Sequence, residues 1–279
     1  MLKQRIITAV VLLALLLPAL FAASPWPFAV LTLVLIAAAG WEWARLAGVG
    51  GVPAQLLGAA LALACIGSLM ALGRAPAPDW CWWLASGLWV LGGCYALRGG
   101  PAAWPRVARV PRLVLGALAL WAAWLAIQQA RELGLNYLLS IFCLVWVADV
   151  AAYFGGKAFG RHKLAPAISP GKSWEGVWSG MAGVLVLAYV WSHGIDHRLH
   201  VDSPSLYSRL LWNQHPAVVT LELVVLAAMS VVGDLFESLI KRAVGAKDSS
   251  GLLPGHGGVL DRVDALLPVL PLALALSTL

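Results

Sequence analysis

The chain has 279 residues, 61% of them hydrophobic and 11% charged, where a soluble domain carries roughly 25% charged residues. That excludes a water-soluble globular domain. The net charge of +6 reads as membrane orientation and contact with anionic lipid or phosphate, and needs no nucleic acid to explain it.

Crossing a hydrocarbon core ~30 Å thick takes about 20 mainly apolar residues per helix. Such runs recur in chain order: Ile6–Ala23, Trp26–Ala47, Pro53–Gly73, Trp80–Leu97, Pro111–Gln129, Leu135–Gly155, Trp174–His193, Pro216–Ile240 and Val263–Leu279. They predict an all-α, polytopic integral membrane protein with about nine transmembrane helices. The opening MLKQR before the first run has the form of a signal-peptide n-region. Cleavage after Ala22 or Ala23 would put Leu20 or Phe21 at −3, where a small residue is needed, so a retained helix is the reading.

Cytoplasmic segments carry an excess of Lys and Arg. With the N-terminus in the cytoplasm and sides alternating, the inner segments hold fifteen basic residues: Lys3, Arg5, Arg45, Arg98, Arg106, Arg109, Arg112, Lys157, Arg161, Lys163, Lys172, Lys241, Arg242, Lys247 and Arg262. The outer side holds four, Arg74, Arg131, Arg198 and Arg209. The four cysteines, Cys65, Cys81, Cys94 and Cys143, fall in or beside apolar runs without CxxC spacing and read as packing residues. Tryptophans near run ends, among them Trp26, Trp41, Trp43, Trp80, Trp174 and Trp212, read as interfacial anchors.

Residues 1–130 read as membrane scaffold: their only acids are Glu42 and Asp79. Residues 131–279 carry two long polar cytoplasmic loops, 156–173 and 241–262, each following an acid near the end of a run. No internal repeat points to a two-fold transporter. The outer loop, 192–215, contains His193 and His197 at i, i+4, a metal-compatible spacing if helical. No helix is evident there, and a hydrophilic linker is the preferred reading.

Asp234 lies two or three turns from the end of its apolar run, in SVVGDLFESLIKR, where an acid is costly unless it faces a cavity, a partner or a metal. Glu237 and Lys241 share its helical face; the plainer alternative is a Glu237–Lys241 ion pair that seals the helix end. The following loop weakens that alternative. Lys241, Arg242 and Lys247 offer cations to phosphate, PGHGG offers backbone N–H groups for close approach to an anion, and LDRVD presents Asp261 and Asp264 on one side of the next helix. Acids suited to Mg²⁺ beside cations suited to phosphate make the two halves of a nucleotide site.

The other loop, VADVAAYFGGKAFGRHKLAPAISPGKSWEG, places Asp149 near the end of its run, followed by Lys157, Arg161, His162 and Lys163. Its PGKS is not a P-loop: GxxxxGK[ST] needs glycine where Pro166 stands, and no preceding strand is evident. Ser169, Lys172 and Ser173 remain, with Ser173 as N-cap of a helix whose start can bind an anion.

The segment SLIKR, four residues, KDSS, two residues, LPGHGGVLDRVD, from Ser238, resembles the C-terminal signature of phosphatidate cytidylyltransferases, or CDP-diacylglycerol synthases. DVAAYFGGKAFGRHKLAPAISPGKSWEG resembles that family's second cytoplasmic block, with Gly156-Lys157 and Gly171 as mild variations. The two blocks cover roughly a third of the chain; the rest agrees as a polytopic scaffold.

The resemblance implies transfer of the cytidylyl group of CTP to phosphatidic acid, giving CDP-diacylglycerol and pyrophosphate. It implies Asp234 and Asp261 as ligands of Mg²⁺, with room for a second cation, and Asp264 and Asp149 nearby. Lys241, Arg242, Lys247 and Arg262 would meet phosphates, with Asp248, Ser169, Lys172 and Ser173 beside them and His256, Gly257 and Gly258 as a phosphate-facing turn. It also implies a homodimer. Two other classes stay open: an ion-coupled transporter, which predicts discontinuous helices and mid-membrane polar groups, and another lipid-phosphate nucleotidyltransferase.

Overall fold

The computed structural model describes residues 2–73 and 75–279, with the side chains of Leu2 and Lys3 outside that description. Two basic residues of the charge count, Arg74 and the side chain of Lys3, therefore lie outside the described residues. Twelve helices follow one another among the described residues: α1 (Leu2–Phe21), α2 (Trp26–Leu46), α3 (Gly51–Leu72), α4 (Asp79–Ala103), α5 (Arg109–Leu133), α6 (Leu135–Phe159), α7 (Trp174–Val190), α8 (Asp196–Arg198), α9 (Leu206–Asn213), α10 (Pro216–Ala243), α11 (Leu260–Val263) and α12 (Leu266–Leu276). Six of them, α1, α2, α3, α5, α6 and α10, are both long and apolar enough to cross a membrane. The chain is an integral membrane protein of helical construction.

The other three apolar runs became α4, α7 and α12. α4 is interrupted at Gly100, whose φ of 65° breaks the helix just before Pro101. α7 ends after 17 residues in a π-helical turn, Trp191–Ile195. α12 has only 11 residues, ~16 Å of helix. Every residue from Leu267 to Leu276 is buried, because α4, α5, α6 and α10 surround it. An all-round apolar sequence suits burial in protein as well as burial in lipid, which is why this run read as a span.

Small residues let the helices approach closely. A Cβ at Gly180 would lie 2.8 Å from the Ala148 carbonyl oxygen, so α7 lies directly on α6. At Gly58 a Cβ would fall 2.4 Å from the Ala37 oxygen, which fixes the α2–α3 contact.

Several sequence expectations are corrected. The loop 156–173 contains an antiparallel hairpin, β1 (Lys163–Ala165) with β2 (Ser169–Ser173), so a short strand does precede PGKS, and PGKS itself is extended. The exclusion of a P-loop stands on Pro166. The 192–215 segment is partly helical: Ser205 caps α9, accepting the Ser208 N–H at 3.2 Å, and α9 buries Leu206, Tyr207 and Leu210. An amphipathic helix as short as this gives little periodicity to read. Trp43 is not an interfacial anchor; it is 7% exposed, and its ring stacks on Phe236 of α10 at 6.2 Å. All four cysteines are free, and Cys94 is exposed instead of packed.

Contacts divide the bundle into two polar ends. At one end, Arg131 donates to the Leu20 and Ala22 carbonyls, and the Asp202 carboxylate accepts the Leu135 and Asn136 N–H groups. At the other, Arg5 and Thr8 of α1 donate to the Gly255 and Pro254 carbonyls, and Glu42 of α2 reaches residues 249–260.

Candidate active site at the charged end of the bundle

α10 carries Asp234, Glu237 and Lys241 on one stripe, as helical spacing requires. Gly233 lets the neighbouring backbone come close: a Cβ there would sit 2.3 Å from the Asp264 carbonyl oxygen. The α11–α12 junction is thereby brought against Asp234.

The Lys241 ammonium lies 2.5 Å from Glu237 Oε2 and donates to Asp261 Oδ1. The Glu237–Lys241 pair anticipated as a mere seal thus extends to a third residue and ties α10 to α11. Asp261 Oδ2 accepts from Ser249 N–H at 2.9 Å, Ser249 Oγ at 2.8 Å and Gly258 N–H at 2.7 Å. Burial would raise this carboxyl, but the Lys241 ammonium and the Gly258 and Ser249 amides outweigh it and hold its pKa down at about 2.

β2 supplies the second cation. Lys172 Nζ lies 2.6 Å from Asp234 Oδ2, while Ser238 Oγ donates to the other oxygen at 3.3 Å. Asp149 of α6 is within electrostatic reach of Lys172 and Asp234, and Asp264 of Asp234 and Asp149. Ser173 caps α7 as expected, accepting the Gly176 N–H at 3.2 Å. Ser169 pairs with Ala165 beside the turn of the hairpin.

The PGHGG turn uses positive φ at Gly255 (78°) and Gly257 (81°), which any side chain would strain. Arg262 straps it, donating from Nε at 3.1 Å and Nη2 at 2.7 Å to the His256 carbonyl. Among the described residues, His256 Nδ1 is buried without a hydrogen-bond partner, as is Glu237 Oε1. Lys247 and Asp248 are exposed after α10, and exposed Arg242 donates to the Ile168 and Ala246 carbonyls. The expected site residues of the two loops are thus gathered at one end of the bundle.

The residue missed from sequence is Glu42. It is 0% exposed. Its Oε1 accepts from Ser250 Oγ at 2.5 Å and Val259 N–H at 3.0 Å, and its Oε2 from Leu260 N–H at 2.8 Å, while at 3.2 Å it shares the single Ser249 hydroxyl proton with the nearer Asp261 Oδ2. Its one sequence signal was being an acid within an apolar run.

Among the described residues, no three His, Cys, Asp or Glu side chains are preassembled around an ion position. The His193 ring, at the opposite end, instead stacks on Tyr189 at 4.5 Å. At the charged end, the donor chemistry nevertheless fits Mg²⁺: hard carboxylate oxygens, each of the two leading ones neutralised by an ammonium group that a phosphate can claim, beside the unpartnered Glu237 Oε1.

A model of the cytidylyltransferase family matches residues 3–279. The chain belongs to that family. It is 38% identical to a phosphatidate cytidylyltransferase of Pseudomonas aeruginosa over 99% of this chain and 97% of the relative. It is also 50% identical to the Haemophilus influenzae enzyme of that name over 50% of this chain and 44% of the relative. A Staphylococcus epidermidis phosphatidate cytidylyltransferase is 40% identical over 52% of this chain and 50% of its own length.

Proposed function

We propose that this protein transfers the cytidylyl group of CTP to phosphatidic acid, giving CDP-diacylglycerol and pyrophosphate for phospholipid biosynthesis. The Lys172–Asp234 pair carries the reading, because it joins the two polar blocks into one site holding both cations and carboxylates. A nucleotide triphosphate and a membrane-bound phosphate need that combination at a membrane face.

The lipid phosphate oxygen attacks the α-phosphorus of CTP in line. A new P–O bond forms as the bond to the β-phosphate oxygen breaks, and pyrophosphate leaves with that electron pair. The monoester's second pKa is about 6, so near neutrality it is largely dianionic and needs no strong general base. Positioning and charge neutralisation carry the rate. In this reading Lys172, Lys241, Arg242, Lys247 and Arg262 hold phosphates, the His256–Gly258 turn and the Ser169–Ser173 strand line the site, and Asp149, Asp248 and Asp264 set its charge. Asp234 and Asp261 would hold Mg²⁺, and a second cation if one binds, once the triphosphate draws Lys172 and Lys241 away. Bound there, Mg²⁺ supplies neutralisation of charge on the phosphates.

α4 and α7 would join the six long apolar helices as crossings, eight in all with α12 buried among its neighbours, and the basic-residue count supports a bacterial inner membrane orientation with the N-terminus and site in the cytoplasm. Residues 131–279 carry the site and residues 1–130 frame it, and two copies would pair as a homodimer. Release of pyrophosphate by purified protein should require CTP and phosphatidic acid together. Release with CTP alone, at the same rate, rejects the reading.

A further inference from the structure

Glu42 is a carboxylate in the apolar helix α2, fully buried, with none of the described ion pairs reaching it. Desolvating a charge costs several kcal/mol unless hydrogen bonds repay it. All four of its donors come from a single segment, 249–260, which carries the PGHGG turn and leads into Asp261. Ser249 Oγ contacts Glu42 Oε2 at 3.2 Å and Asp261 Oδ2 at 2.8 Å, so the two carboxylates are linked through one hydroxyl. Gly258 is required for the approach: a Cβ there would lie 2.3 Å from Glu42 Oε1 and 2.0 Å from Ser249 Oγ.

We infer that Glu42 is a positioning residue for the transfer reaction: it fixes the 249–260 segment, and through Ser249 the orientation of Asp261, without touching substrate. This rests on the function proposed above. Any buried carboxylate needs its oxygens satisfied; what sets Glu42 apart is that its partners all lie in the segment that carries the PGHGG turn and leads to Asp261. Arg5 and Thr8 grip the same turn from α1, at Gly255 and Pro254, so the N-terminal helices form its seat.

The test compares Glu42→Gln, Glu42→Asp and Thr32→Val. Gln keeps the size but turns an NH₂ group toward two of the four donors. Since small misplacements at a reacting centre cost on the order of 10²-fold, kcat per folded molecule should fall by about that factor in Glu42→Gln, with KM for phosphatidic acid near wild type. Asp, which keeps the charge, should recover part of the loss. Thr32, on the same helix, binds Gln128 and the Phe28 carbonyl away from the loop; its Val variant should lose thermal stability and keep kcat. If Glu42→Gln does not fold, Ser250→Ala, which removes one half-buried donor, takes its place and should lower kcat in the same direction.

Amide hydrogen exchange at Val259 and Leu260 reads the same hold without the reaction, and should accelerate in Glu42→Gln or its Ser250→Ala substitute. Wild-type kcat per folded molecule, an equal loss of kcat in Thr32→Val, or unchanged exchange at both amides overturns the inference. An inactive wild-type protein with accelerated exchange in the variant rejects the proposed reaction and leaves the Glu42 hold supported.

Discussion

Lys172 on β2 and Asp234 on α10 form a 2.6 Å ion pair between two segments far apart in sequence. Each is about a quarter exposed, so the pair is open to exchange with a ligand. A half-buried pair this open to water contributes modest stability, on the order of 1 kcal/mol. Lys172→Ala should therefore leave the protein folded while raising KM for CTP roughly tenfold, about 1.4 kcal/mol of lost binding. An unchanged KM would remove Lys172 from the nucleotide site.

Asp234→Asn and Asp261→Asn each remove anionic charge from the proposed ion position. Both variants should insert and fold, with turnover lower by orders of magnitude at ordinary Mg²⁺. Near-normal turnover in either variant, measured on detergent-purified protein, would sink that residue's assignment.

Asp261 also makes a pH prediction. Its carboxyl is held at about 2 in the folded protein, below the ordinary aspartate value of about 3.9. A lowered folded pKa adds stability above about pH 4 that is lost as pH falls toward about 2. Asp261 therefore stays ionised across the working range and gives no acidic limb in kcat; a limb between about pH 5 and 7 would report either the lipid phosphate, whose second pKa is about 6, or another carboxyl of the site. Replacing phosphatidic acid with an analogue of lower phosphate pKa should move that limb; a limb that stays put would point to a protein group.

His256 separates positioning from proton transfer. Its carbonyl is strapped by Arg262, while its ring Nδ1 has no hydrogen-bond partner among the described residues. If the turn needs a hydrogen-bonding side chain, His256→Asn should recover part of the activity that His256→Ala loses at a pH of about 8, where the monoester is mostly dianionic on its second pKa of about 6. Equal, near-complete inactivity of two folded variants there would favour an obligatory proton carrier instead.

For sidedness, a cysteine-free background replaces Cys65, Cys81, Cys94 and Cys143. An impermeant thiol reagent outside intact cells should label Asn213→Cys and spare Gly251→Cys, both exposed positions. Labelling of Gly251→Cys from outside would reverse the topology and with it access of CTP to the site.

The helices and the charged residues of the two loops were legible from sequence because hydropathy and local spacing carry them. Asp234, Glu237 and Lys241 share a face by helical period alone. Three features were not legible. Glu42 acquires its partners only when α2 meets residues 249–260, a tertiary contact without a local signal. α12 is apolar on all sides whether lipid or other helices surround it, so periodicity does not report its burial. The hairpin of Lys163–Ala165 and Ser169–Ser173 is too short and polar for alternation to show.

The most direct measurement of the central claim follows the label of CTP carrying a radioactive α-phosphate, mixed with phosphatidic acid, Mg²⁺ and purified protein in detergent. The label should enter the lipid phase as CDP-diacylglycerol, while label at the γ-position should stay in water as pyrophosphate. Alpha-label that remains water-soluble with phosphatidic acid, or γ-label that enters the lipid, would contradict cytidylyl transfer.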